Sequence, residues 1–211
     1  MTRTGRPRTF NRDDAVATAM LLFWEHGFES TSLAQLRAVM GGISAASFYA
    51  AFESKEVLFR EAVDQYMSTY GQVSDSFRDK SMTSRAAIEQ GLRRSARMQT
   101  ESSHPLGCLL VLSTVNCSPE QKHIQEILAK EREKVHGWMK DCIERGVANG
   151  ELPVSTDIFM LVTLFETFLR GISQQARDGV PYEAIDAAIT QLMSVWDALS
   201  GKQGRQQGER I

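Results

Sequence analysis

Residues 31–59, TSLAQLRAVMGGISAASFYAAFESKEVLF, read as two short helices joined by a glycine turn and followed by a longer helix. Leu33, Leu36 and Met40 recur at spacings of three and four, so they share one inward face. Gly41 and Gly42 supply the left-handed backbone that stops the first helix. Ser44 is placed to cap a second helix from Ala45 to about Ala51. Phe48 and Phe52, four apart, hold that helix down by their rings, which leaves Ala45, Ala46, Ser47, Tyr49 and Ala50 facing outward. The third helix starts at Ser54 with Lys55 at its N-terminus, where an ammonium opposes the helix dipole unless an anion such as a phosphate sits there. A short helix carried on a tight turn from a partner helix is the geometry that enters the major groove of DNA.

Helical periodicity continues on both sides of this unit, and no convincing strand alternation is present. The expected fold class is all-α, with an N-terminal three-helix helix-turn-helix DNA-binding domain and a larger C-terminal helical ligand-binding and dimerisation domain. An Asn11 cap followed by Asp13 and Asp14 opens a first helix from about Arg12 to His26. Beyond Ser54 the spacings predict a helix continuing to near Arg78, then helices over about Ser84–Ser103, Leu106–Val115, Ser118–Ala148, Thr156–Arg177 and Tyr182–Leu199. The division expected is residues 1–53 for DNA binding with a basic arm, 54–200 for effector binding and dimerisation, and 201–211 as a polar, glycine-rich disordered tail.

The run LLFWEHGFESTSL followed by GISAASFYAAFESKEVLF resembles the N-terminal domain of the TetR family of bacterial transcriptional regulators. The resemblance rests on an ordered series: Phe23, Gly27 and Phe28 closing the first helix, Thr31 to Leu33 opening the second, Ser47 to Tyr49 in the third, and Phe52, Ser54, Lys55 and Leu58 entering the fourth. It implies a dimer built on the final two helices, a palindromic double-stranded operator, and an effector that changes the separation of the two heads from within the helical domain. Two departures lie inside the motif. Arg37 stands where such proteins usually place a small residue, and Gly41 and Gly42 stand where one glycine is more common, so a bulkier side chain and a longer turn are expected to go together. Arg37 is then either a solvent-seeking side chain lying along the helix pair or a phosphate or base contact.

The chain has 211 residues and a formal charge of −2, so nucleic-acid binding must come from a local basic footprint. One exists in MTRTGRPRTFNR, where Arg3, Arg6, Arg8 and Arg12 precede any acid. It reads either as a solubilising tail or, beside a helix-turn-helix, as an arm entering the minor groove. The candidate DNA-binding set is Arg3, Arg6, Arg8, Thr31, Ser32, Arg37, Ser44, Ala45, Ala46, Ser47, Tyr49 and Lys55. Alanines cannot make bidentate contacts to purines, so selectivity is expected to lean on the arm and on DNA shape.

No apolar run approaches a membrane span and no signal peptide is visible, which points to a cytoplasmic protein without a membrane partner. Cys108, Cys117 and Cys142 show no paired spacing, and His26, His104, His123 and His136 are scattered without a triad. No pattern calls for catalysis, a cofactor or a metal. The candidate effector lining is Cys108, Leu109, Leu112, Trp138, Cys142, Phe165 and Phe168, suited to an unidentified small molecule. Cys108, at the expected start of a buried helix with His104 before it, reads as a low-pKa, thiol-reactive sensor, as a soft-metal ligand through sulfur and imidazole, or as inert core. Apolar stripes on two faces of the helix ending at Arg177, and one strong stripe on the last, predict a homodimer interface through Phe159, Phe168, Ile185, Ile189, Leu192 and Trp196. A DNA-binding architectural or cell-division factor without a small effector is the alternative reading, and an all-α enzyme a remote third.

Overall fold

The computed structural model describes residues 11–113 and 118–201. Within them, α1 (Arg12–Ser30), α2 (Leu33–Val39), α3 (Ala45–Phe52) and α4 (Lys55–Ser68) form an N-terminal four-helix head. A 3₁₀-helix (Tyr70–Arg78), α5 (Ser84–Thr100), α6 (Leu109–Leu112), α7 (Lys122–Ala148), α8 (Ile158–Arg177) and α9 (Tyr182–Leu199) follow. No strand occurs among the described residues. The arginine arm, Cys117 and the C-terminal tail from 202 lie outside them.

The side-chain oxygen of Asn11 accepts the N–H groups of Asp13 and Asp14 at 3.0 and 3.4 Å and starts α1. Gly27, at φ +79°, breaks the helix near its end. The expected helix from Ser54 to Arg78 is instead α4 plus the 3₁₀ segment, with the change of path at Thr69. Serine hydroxyls compete for the backbone there: Ser74 donates to the Gly71 carbonyl at 2.9 Å, and Ser76 to that of Ala87 in α5 at 3.0 Å. The bend lays the Phe77 ring on Gly91, where an added Cβ would meet ring carbon at 2.3 Å. The expected helix over Leu106–Val115 is likewise reduced to α6 among the described residues. Gly107, at φ +84°, turns the chain where a Cβ would meet Leu112 at 2.3 Å and the Ser173 carbonyl at 2.9 Å.

Two apolar clusters fill the interior. The first runs from α1, α2, α3 and α4 through Met98, Leu109 and Leu110 to Ile124 and Leu128 of α7, so packing is continuous across the 53/54 position. The second joins α5, α7, α8 and α9 around Ile88, Leu92, Met139, Ile143, Phe165 and Trp196. It absorbs much of the expected dimer stripe. Ile185, Ile189 and Trp196 are buried within the chain's own core, which corrects their assignment to an intermolecular face. Trp196 closes on Gly146, where a Cβ would lie 3.2 Å from the indole. Leu192 and Phe168 are half-buried, while Phe159 is 78% exposed.

The link from α3 to α4 is a single tight turn. Glu53 adopts φ +59°, ψ −49°, and the Ser54 N–H donates back to the Phe52 carbonyl, close to the strained γ-turn. Glu53→Gly is expected to add about 1 kcal/mol of stability, read as a raised urea midpoint, because glycine relieves the positive φ at some cost in unfolded-state entropy. A lowered midpoint would mean that the turn is unstrained.

Candidate nucleic-acid interface and effector cavity

A reciprocal cap opens α2. The Ser32 hydroxyl oxygen accepts the Gln35 N–H at 3.2 Å, and Gln35 Oε1 accepts the Ser32 N–H at 2.8 Å. Ser32 is therefore exposed but already engaged. Thr31 is buried, with its hydroxyl donating to the Gly27 carbonyl at 2.7 Å, so its assignment to DNA is corrected: it ties off the broken end of α1.

Arg37 clamps the glycine turn. Its carbonyl accepts the Gly42 N–H at 2.9 Å, and its Nε donates to the Ile43 carbonyl at 2.7 Å. Gly41 and Gly42 both lie at positive φ, the left-handed backbone that this turn requires. The guanidinium braces the turn. Arg37→Ala is expected to cost about 1 kcal/mol, a charged hydrogen bond discounted for its half-exposed setting. The slope of log operator affinity against log salt should stay unchanged, whereas a loss of about one unit would reveal a phosphate contact.

On α3, Ser44 caps the helix by accepting the Ser47 N–H at 3.0 Å, and the two hydroxyls lie 2.9 Å apart. Phe48 and Phe52 are fully buried beneath it. Ala46, Ser47, Tyr49 and Ala50 face solvent, with Ala45 half-buried. The Lys55 ammonium lies over the Phe28 ring at 4.3 Å. Burial pushes its pKa down against the opposing field of Glu29, and the ring face supplies part of the compensation that an ammonium at a helix start requires. Arg12 is a brace as well: it pairs with Glu61 at 2.6 Å and sits over Phe52, joining α1, α3 and α4.

A cavity of about 70 Å³ lies behind the head, walled by the end of α4, the 3₁₀ segment, α5, α6, α7 and α8. One wall is apolar, with Met67, Phe77, Met98, Val135, Met139 and Leu169. The lining also holds a polar chain, in which the Ser173 hydroxyl donates to Gln99 Oε1 and Gln99 Nε2 donates to Ser95 Oγ, both at 2.7 Å. Cys108 lines the cavity, and its sulfur accepts the Tyr66 hydroxyl at 3.3 Å. Burial pushes the Cys108 thiol up, against smaller opposing hydrogen bonds. The expected low-pKa thiolate is therefore corrected, because α6 has only four residues and offers little dipole to offset desolvation.

At the mouth, between α7 and α8, Glu166 Oε2 meets His136 Nδ1 at 2.8 Å and Glu166 Oε1 accepts from Arg170 at 2.5 Å. Burial favours the protonated acid, but these two bonds outweigh it and hold the Glu166 pKa below the usual range. Among the described residues no group of three or more His, Cys, Asp and Glu side chains is placed to hold a metal, and no helix is long and apolar enough to cross a membrane.

Residues 15–62 match the model of the bacterial regulatory proteins of the tetR family. The HTH-type transcriptional repressor ComR of Escherichia coli K12 is 30% identical over 198 residues, which spans 92% of this chain and 93% of ComR. The chain belongs to the TetR family. Other TetR relatives agree. The repressor BdcR of the same organism is 31% identical over 57% of this chain and 60% of its own length. A cysteine mutant of the TetR regulator CifR, solved with 26-base-pair operator DNA, superposes with a TM-score of 0.84 at 38% identity, covering 90% of this chain and all of that one. The protein is a DNA-binding transcriptional regulator and not an enzyme.

Of the TetR effector residues expected from sequence, Cys108 alone lines the cavity. Leu109 and Phe165 are core. Leu112 closes over Gly107, and Trp138 lies under the Arg78 guanidinium at 4.2 Å. The Cys142 thiol is buried, donates to the Ser84 carbonyl and is raised by burial. Phe168 is half-buried away from the cavity. The residues that do line it were hidden in plain periodicity: Arg132, Val135, His136 and Met139 on α7, and Glu166, Leu169, Arg170 and Ser173 on α8, each spaced 0, 3, 4 and 7. A charged or polar residue interrupting an apolar stripe, such as Glu166 within LFETFLR, was the available signal.

Proposed function

We propose that the protein is a cytoplasmic, homodimeric repressor, seated on a palindromic operator by two copies of α3 and released when a small molecule enters the cavity. The observation that carries this reading is the continuity between cavity and head. Tyr66, on the cavity wall, meets the Trp24 indole of α1 at 4.9 Å, and Trp24 in turn stacks on His104 just before α6. A ligand that moves the α4 end or α6 thereby moves α1, which carries the recognition unit. ComR and BdcR are named repressors, and CifR was solved on operator DNA.

In this reading Ala45, Ala46, Ser47 and Tyr49 face the major groove, and Ser44 fixes their helix. Arg3, Arg6 and Arg8 enter the neighbouring minor groove. The dimer closes on the outward faces of α8 and α9, where Phe159, Gly171, Ala184 and Ala188 are exposed. The effector is a small molecule that enters the cavity lined by Cys108.

Selecting binding sites from random duplexes tests the core of the proposal. Palindromic sites bound by two protomers are expected, with binding lost when residues 2–8 are deleted. Asymmetric sites bound by one protomer would overturn it.

A further inference from the structure

The cavity mouth is built around one uncommitted cation. Glu166 engages both of its carboxylate oxygens, one with His136 and one with Arg170. Arg132, a half-buried neighbour on α7, feels the field of Glu166 but forms no ion pair with a carboxylate among the described residues. Among the described residues its hydrogen bond runs from Nη1 to the Leu110 carbonyl at 2.5 Å. A guanidinium carries five donors in a planar fork, so most of this one remains available where the apolar cavity meets solvent.

We propose that the effector is an amphipathic carboxylic acid whose carboxylate pairs with Arg132 and whose apolar body enters the cavity. This rests on the reading of that cavity as the effector site. Arg132 lines both the cavity and the surface depression outside it, as do His136, Glu166 and Arg170. Exposed Glu133 stands at the outer rim. Desolvation followed by the field of Arg170 pushes the Arg132 pKa down, against smaller opposing fields of Cys108 and Glu166, so a bound anion would offset the penalty on its charged form. A bidentate fork matches a carboxylate better than a single carbonyl does. The other end of the ligand meets Met67, Met98 and Met139, unbranched side chains able to yield to a body larger than the about 70 Å³ now open. The Ser95–Gln99–Ser173 chain already satisfies itself, which leaves the apolar wall as the seat of the ligand's body.

Calorimetric titration of the full-length protein with hexanoate and phenylacetate, each beside its neutral amide, tests the assignment. At least one acid is expected to bind roughly tenfold or more tightly than its amide, the scale of one charge-assisted hydrogen bond. Arg132→Gln should abolish the preference while preserving the helical circular dichroism, and Arg132→Lys should restore part of it. Equal binding of acid and amide, preference retained in Arg132→Gln, or no binding of either acid at millimolar concentration would each overturn the proposal. Operator release is read separately. An acid that binds through Arg132 without releasing DNA would retire the effector reading and leave the anion site standing, whereas release by other compounds with no acid binding would do the reverse.

Discussion

Trp24→Ala is expected to remove about 3–5 kcal/mol of stability, the range for truncating a large buried aromatic residue, and to weaken operator binding beyond what unfolding alone explains. Trp24 is 1% exposed. Its ring stacks on His104 at 4.6 Å and meets the edges of Tyr66 and Tyr70 at 4.9 and 5.0 Å. Phe23, its neighbour in α1, packs edge-on to Phe59 of α4 at 5.0 Å, so α1 is held to both α4 and the segment before α6 by rings. Against a total stability of about 5–15 kcal/mol, the loss is large enough to read easily in urea.

The indole has one defect that separates packing from hydrogen bonding. Its Nε1 is buried without a partner among the described residues, so Trp24→Phe deletes that donor along with part of the ring. The phenylalanine variant should therefore cost less than half as much as alanine. Under native conditions, operator affinity of the alanine variant should fall at protein concentrations where circular dichroism still shows it folded. A Trp24→Ala protein with the parental urea midpoint and parental affinity would remove the aromatic column from the account of how the two parts communicate.

Element type was legible along the chain because each long helix repeats its apolar residues every three or four positions. The bounds of α9, Tyr182–Leu199, agree with the periodicity. The break after Ser68 was not legible. It depends on Phe77 finding Gly91 in α5, a long-range fit that leaves only Gly71 and a few serines as local signs. The dimer stripe misled for a different reason: an amphipathic face records that burial occurs but not whose surface provides it. Ile185, Ile189 and Trp196 are used up by the chain's own α5, α7 and α8. The candidate site divides in the same way. Capping by Ser44, burial of Phe48 and Phe52, and exposure of Ser47 and Tyr49 follow from local rules, whereas the cavity is set by residues that interrupt stripes. The role of Arg37 depended on where the Ile43 carbonyl points, which no spacing records.

Arg177→Ala is expected to uncouple α8 from the head. Gly27 ends the regular course of α1, and the last carbonyls of a helix have no partner within it. Two of them are taken by Arg177 from the far end of α8: its Nη2 donates to the carbonyls of Trp24 at 3.1 Å and Glu25 at 3.3 Å. Its Nε donates to the Leu106 carbonyl at 3.1 Å, before α6, and the Ser113 hydroxyl after α6 donates to the Phe23 carbonyl at 3.3 Å. One guanidinium thus joins α8, the α6 segment and the C-terminal end of α1, where a cation also suits the helix dipole. Alanine leaves three carbonyls to water. The expected cost is about 2–3 kcal/mol, less than three charged hydrogen bonds would give in isolation because the side chain is only half-buried. Lysine keeps the charge but not the fork, so Arg177→Lys should fall between. Hydrogen exchange locates the effect: amides of residues 27–31 and 107–113 should exchange faster in Arg177→Ala, while those in the middle of α9 keep their protection. Unchanged exchange at both segments would mean that Arg177 binds these carbonyls without holding the head, and coupling would then have to pass through Trp24 and Tyr66 alone.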